Sequence, residues 1–171
     1  KVQYDAGRVD VRPTDAALLY AMHLRYDELR ASPLHRHDAE QRNTLLGLES
    51  RGNAFPASSS RHEDSGELRV ELPHSIPLDL DMEFGGAQAT LELGGLALQS
   101  ARLEFGAAEG TLAFTTSNRT HMRELEISIG AADFTARGLA NANADLIRVR
   151  GGVGSVDLDF GGTWTRDLEV S

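Results

Sequence analysis

Three groups of side chains are spaced as chemistry would need them. Asp79, Asp81 and Glu83 alternate along one stretch, so an extended chain projects all three from one side. Outward carboxylates beside a cation such as Arg102 are what a small polysaccharide-active β-helix enzyme would use for acid–base work. Asp157 and Asp159 repeat the spacing. Alternating charge is also what the wet side of a half-buried strand normally shows, and that reading is the stronger. His35, His37 and Asp38 form a His-x-His-Asp group that could start a metal site. Nothing nearby supplies further ligands at a fixed spacing, and ASPLHRHDAEQRNT (31–44) reads as a solvated loop.

Other motifs fail on a single residue or on context. GGVGSVDLD (151–159) is similar to the calcium-binding nonapeptide GGxGxDxUx, but Val156 stands where the ligand Asp is needed. The glycine clusters are not followed by a helical pattern, so they do not qualify as phosphate loops. No Gly-x-Ser-x-Gly elbow accompanies the scattered His23, His62, His74 and His121. Asn118-Arg119-Thr120 is a formal glycosylation sequon, with meaning only in a eukaryotic secretory setting. Cysteine is absent, which removes disulfides, thiol catalysis and Cys-based zinc sites. The expectation is a chain without catalytic, cofactor-binding or metal-ligating residues.

The elements that carry these residues are repetitive. MEFGGAQATLEL (82–93), LEFGAAEGTLAF (103–114), ISIGAADFTARG (127–138) and IRVRGGVGSVDL (147–158) align as one window, and LEVS (168–171) opens a fifth. Successive starts are 21, 24, 20 and 21 residues apart. The first position reads Met82, Leu103, Ile127, Ile147, Leu168, and the third reads Phe84, Phe105, Ile129, Val149, Val170. Period-two apolar residues predict half-buried strands. Gly85, Gly106 and Gly130 follow, then Arg150, and there the chain bends. A second strand resumes at Ala89, Gly110, Phe134 and Gly154, where the third window carries the large residue and the others small ones. That exchange of volume within one layer is what a packed interior requires.

A unit of this size cannot bury its own apolar side, so it must stack on copies of itself. The expected fold is all-β, a β-helix-like solenoid with about 20–24 residues per rung. An antiparallel meander of similar hairpins is the alternative. Asp81, Arg102 and Glu126, each just before a window, would then alternate in sign up the stack. The row Thr90, Thr111, Thr135, Ser155 faces outward, but its neighbour row (Glu92, Ala113, Arg137, Asp157) lacks the second threonine rank of an ice-binding face.

The expected organisation is one domain over 1–171: irregular rungs in 1–53, a loop over 54–66, and regular rungs over 67–171 with the last incomplete. KVQYDAGRVDVR (1–12) reads as the first rung. Residues 14–30 fit both a strand and a helix, and the β surroundings favour strand. ELRVELP (67–73) reads as a strand with Leu68 in phase with Ala89. Leu96 and Leu98 suggest a third side, and TTSNRTHMRE (115–124), the longest connection, should protrude. The formal net charge of −9 argues against phosphate-backbone binding, so nucleic acid is not an expected partner. No stretch approaches the roughly 20 apolar residues of a membrane span. The chain opens in a strand and closes inside a repeat, as a piece of a longer protein would.

The repeat LEFGAAEGTLAF with its relatives, and KVQYDAGRVDV followed by LLYAMHLRYDE, together resemble the bacterial toast-rack domain families. These include cell-wall stress-response membrane proteins and adhesin-like domains. Residues 1–50 look like the N-terminal toast-rack part and 67–171 like its rungs. The resemblance implies a right-handed, single-stranded β-helix displayed in the envelope or outside the cell, and supplies no catalytic residues. The function it implies is a non-enzymatic structural or interaction domain with a protein or envelope partner. The incomplete last rung predicts either end-to-end self-association or more chain in the full protein. An extracytoplasmic sensor of envelope stress is the further alternative.

Overall fold

Each alternating apolar run becomes an extended strand with one side turned to a common core. The structure, a computed structural model, describes residues 1–29, 31–50, 66–163 and 169–170. Among them lie β1 (Val2–Thr14), β2 (Ala21–Arg25), β3 (Ala31–Asp38), β4 (Asn43–Ser50) and β5 (Glu67–Pro73). Then follow β6 (Pro77–Glu92), β7 (Ala97–Phe105), β8 (Glu109–Ala113), β9 (Met122–Ala131) and β10 (Asp133–Arg137). A turn of 3₁₀ helix at Leu139–Ala142 precedes β11 (Ala144–Val153), β12 (Val156–Leu158) and β13 (Glu169–Val170). No α-helix occurs among the described residues.

The strands form two ladders that share their longest members. One runs β4-β1-β6-β7-β9-β11-β13 and the other β5-β1-β6-β8-β10-β12, every pairing parallel. Parallel pairing throughout removes the antiparallel meander. β1 and β6 pass through the bend without a break and pair in both ladders. Only β2 on β5 and β3 on β4 are antiparallel, and they lie at one end. The sheet is open, not closed.

This order corrects the place of the first strand. β1 is not an end rung: it lies between β6 on one side and β4 and β5 on the other. Val9 pairs with both Leu68 and Ala89, so Leu68 is in phase as read, with β1 interposed. Residues 31–38, expected in a solvated loop, form β3, because pairing with β4 satisfies backbone groups that a loop would leave to water. Within 14–30 the strand reading holds over Ala21–Arg25 only. Arg30, residues 51–65 and Trp164 lie outside the described residues, and with them nearly all of the expected 54–66 loop.

The register confirms three windows and moves the fourth. Phe84, Phe105 and Ile129 pair in file, but the next member is Gly151, and Val149 pairs with Ile127. Likewise Phe134 pairs with Val156, not Gly154, and Val170 pairs with Ile147. A slip of two residues keeps every side chain on its face, so period-two patterning cannot detect it. The glycines can. A Cβ on Gly85, Gly106, Gly130 or Gly152 would stand 2.6, 3.0, 2.6 or 2.4 Å from the carbonyl oxygen of the strand beside it. The shifted register puts Gly152, not Arg150, in that column.

The core is one cluster between the ladders. Phe84, Phe105 and Phe134 stack at centroid distances of 5.2 and 5.0 Å. Gly110 makes the room: a Cβ there would meet the Phe134 ring at 2.6 Å and the Phe105 ring at 2.8 Å. The volume exchange inferred from the aligned windows is therefore a direct contact.

A third side closes each unit. Residues 115–121, expected to protrude, are exposed at Thr115, Thr116, Ser117 and Arg119 but tied to the stack at Asn118. Asn118 is buried, its Oδ1 accepting from the Leu98 N–H at 2.8 Å and its Nδ2 donating to the Leu98 carbonyl at 2.8 Å. Leu96 and Leu98 are fully buried beneath it. Asn141 Nδ2 donates to the Phe114 carbonyl and Asn143 Nδ2 to the Thr120 carbonyl, at 2.9 and 3.1 Å. These amides do for the corners what ladder bonds do for the strands.

Candidate functional site

The outward residues of the first ladder are held in rows by the register. One row reads Asp81, Arg102, Glu126, Arg148, and the next Gln3, Glu83, Glu104, Ser128, Arg150. Adjacent members stand about 4.8 Å apart, the spacing of neighbouring strands. The sign alternation read from three residues thus extends to a fourth, Arg148, once the register is corrected.

Most of these charges neutralise one another across strands. Glu126, only 8% exposed, accepts from Arg102 at 3.1 Å and from Arg150 on the other side. Arg148 pairs with Glu124, and Arg123 with Asp79 at 3.0 Å, while the Ser100 hydroxyl donates to the same Asp79 carboxylate. Lys1 reaches Glu83 directly and Asp81 at 3.9 Å. The Glu83 hydrogen bond is the main reason the Lys1 ammonium titrates above its ordinary value. Arg12 and Glu71 pair in the other ladder, and that hydrogen bond holds Glu71 below the usual carboxylate range.

Asp79, Asp81 and Glu83 do alternate on one strand, but Arg102 reaches for Glu126 instead of for them. Asp157 and Asp159 lie on or just past β12, and Asp159 accepts from its own turn at Gly161 N–H, 2.8 Å. His35 shares a hydrogen bond with the Tyr20 hydroxyl and His37 with Thr44, both at the antiparallel end. Among the described residues no three His, Cys, Asp or Glu side chains gather as a metal site. His74 bonds the Gly95 carbonyl, and His121 faces Asp145 at 2.8 Å.

A hollow on this face follows the glycine column. It is an open groove of about 630 Å³, lined by Gly85, Gly106, Gly130 and Gly152 and by Gln3, Glu83, Glu104, Ser128 and Arg150. The hollow exists because a side chain on those glycines would strike backbone. Sequence reading took the glycines for bends and missed the hollow. It placed Asn141 and Asn143 in a turn but missed the bonds these amides and Asn118 make between units.

Buried Tyr4 is a different case. Its hydroxyl has no hydrogen-bond partner among the described residues, and burial pushes its titration up to about 12. It lies where a Cβ on Gly7 or Gly66 would come within 2.8 Å of it.

Parallel, stacked strands with glycine corners define a repeat architecture among the described residues, and comparison gives it a family. The model of the N-terminal domain of toast_rack, DUF2154, matches residues 1–137. The chain belongs to that family. The matched region continues from β1 through β10, past the 1–50 assigned to the N-terminal part from sequence. Among solved structures, a crystal structure of a "putative cell adhesion protein" from Clostridium sporogenes superposes with a TM-score of 0.71 at 13% identity. It covers 92% of this chain and 90% of its own. That likeness is one of fold. No curated protein matches the chain.

Proposed function

We propose that this chain is a non-catalytic structural and interaction domain of the bacterial cell envelope, adhesin-like and placed outside the cytoplasm. Its two ladders form a right-handed, single-stranded β-helix-like solenoid of about 20–24 residues per rung. Its partner is a protein or an envelope component. Family membership and the cell-adhesion name of the fold neighbour support the setting. No helix among the described residues is long and apolar enough to cross a membrane.

One observation carries the reading. Two of the three outward carboxylates that could have done acid–base work are spent on cations of neighbouring strands, Asp79 on Arg123 and Glu83 on Lys1, while Asp81 stands 3.9 Å from the same Lys1. A general acid must present its carboxyl to a substrate, and these side chains are turned to the cations beside them instead. The test is to incubate the chain with isolated envelopes and with envelope polysaccharides. Co-sedimentation without new reducing ends is the expected result. Reducing ends that vanish on Asp79→Asn, Asp81→Asn and Glu83→Gln together would replace this reading with the enzyme.

A further inference from the structure

Asn118-Arg119-Thr120 is the sole N-x-[ST] sequence in the chain. An acceptor for N-linked glycan belongs on an open surface loop. Its neighbours Thr115, Thr116, Ser117 and Arg119 are exposed as that requires. Asn118 itself is only 4% exposed, and Leu98, which it holds, is fully buried.

An asparagine amide offers one acceptor oxygen and two donor hydrogens, and here all are taken. Oδ1 accepts from the Leu98 N–H, and Nδ2 donates to the carbonyls of Leu98 and Thr120, each at 2.8 Å. Thr120 Oγ1 donates to the same Leu98 carbonyl at 2.9 Å. The backbone joins in: the Asn118 N–H donates to the Asn141 carbonyl and the Arg119 N–H to the Leu96 carbonyl, both at 2.7 Å. Amide and hydroxyl, two residues apart, thus meet on one carbonyl, and the clamp ties three consecutive units. It uses the same two side chains that a glycan-transferring enzyme reads.

We propose that glycosylation at Asn118 and folding of this chain exclude each other. Transfer joins Nδ2 to the anomeric carbon of a lipid-linked oligosaccharide, expels the lipid pyrophosphate and releases one amide proton. The hydrogen that remains cannot serve both carbonyls, so a bond of the clamp is lost. Space is the greater obstacle, because the sugar would start from an atom enclosed between units. Asn118 is therefore an acceptor only in the unfolded chain, and a modified chain cannot close its third side. An exported copy of this domain must fold before it meets such a transferase, or never meet it.

This exclusion stands apart from the interaction-domain reading, and neither depends on the other. The test is to translate the chain into microsomes that carry the transferase and to separate modified from unmodified molecules on a lectin. Trypsin should digest the modified molecules completely and leave a resistant core of the unmodified ones. Thr120→Val removes the motif together with one hydrogen bond, and should emerge unmodified with the resistant core. Wild-type chain translated after depletion of the lipid-linked donor should do the same, and that control needs no variant. Folded chain from a bacterial cytoplasm should take no glycan from the purified transferase and its donor. A glycan on the folded chain overturns the proposal, and so does a modified fraction as resistant to trypsin as the unmodified one.

Discussion

The two ends of this stack are finished by opposite means. At one, β2 and β3 reverse direction against β5 and β4, and Tyr20, Met22, Leu24 and Tyr26 pack partly buried over the core. At the other, β11 and β12 keep the direction of the strands beneath, and Val153 and Val156 remain exposed. Among the described residues, the same ladder chemistry therefore ends in reversed strands at one side and in strands of unchanged direction at the other. Repeat proteins need polar or closed terminal units to stay soluble. At the β2–β3 end that need is met by antiparallel strands.

The comparison breaks first if the ends and the middle respond alike to loss of core volume. Phe105, sandwiched between Phe84 and Phe134, should cost about 3–5 kcal/mol as Phe105→Ala. Leu158→Ala, in β12, should cost under about 1.5 kcal/mol, since a partly buried site leaves little cavity. Urea denaturation of both variants decides it, and equal losses would mean the β12 end is covered as well as the middle.

A second contrast uses one clash in two places. Gly130→Ala drives a methyl onto the Gly106 carbonyl, and Gly130 is fixed from both sides. Gly152→Ala makes the same clash with Gly130, but the outer strand can lift away. The first should destabilise by roughly 1–3 kcal/mol or more and the second by clearly less. Thermal melts of the pair would show the order, and the reverse order would place Gly152 inside the stack.

At the covered end, Tyr20→Phe removes the hydroxyl shared with His35. The expected cost is about 0.5–1.5 kcal/mol, read by chemical denaturation. The smallest effect has the opposite sign. Tyr4→Phe deletes a buried hydroxyl without a described partner and should be neutral or stabilise by up to about 1 kcal/mol. It should also change the alkaline limb. Folded Tyr4 keeps its proton to about 12, whereas an unfolded tyrosine releases it near 10.0. The folded state therefore binds the extra proton in that window, and stability falls as pH rises through it. Stability measured between those pH values should decline less in Tyr4→Phe than in the parent chain.

The middle of the molecule was legible because every stacked unit must repeat the same inward rows. Met82, Leu103 and Ile127 announce themselves at fixed positions, and the volume trade between Gly110 and Phe134 is readable from aligned residues alone. The last unit was misplaced by two residues because apolar identity favoured Ile147 and Val149, while the backbone clash that selects Gly152 leaves no mark on hydropathy. The covered end was harder still. β3 is polar and carries His35, Arg36 and His37, so composition pointed to a loop, and only pairing with β4 makes it a strand. The place of β1 inside the stack depends on long-range order that no local pattern encodes. Of the candidate residues, sequence identified the carboxylates but not their partners, because ion pairs between strands depend on register.

Register is thus the central claim, and the absence of cysteine makes it directly measurable. Thr135→Cys with Asp157→Cys places two thiols on directly paired residues of β10 and β12. Neighbouring strands bring Cα atoms to roughly 4.8 Å, within disulfide reach. Mild oxidation should close this pair quantitatively and leave Thr135→Cys with Ser155→Cys, the pairing set by a 20-residue interval, mostly as free thiols. Closure of the second pair in preference to the first would contradict the stack as described.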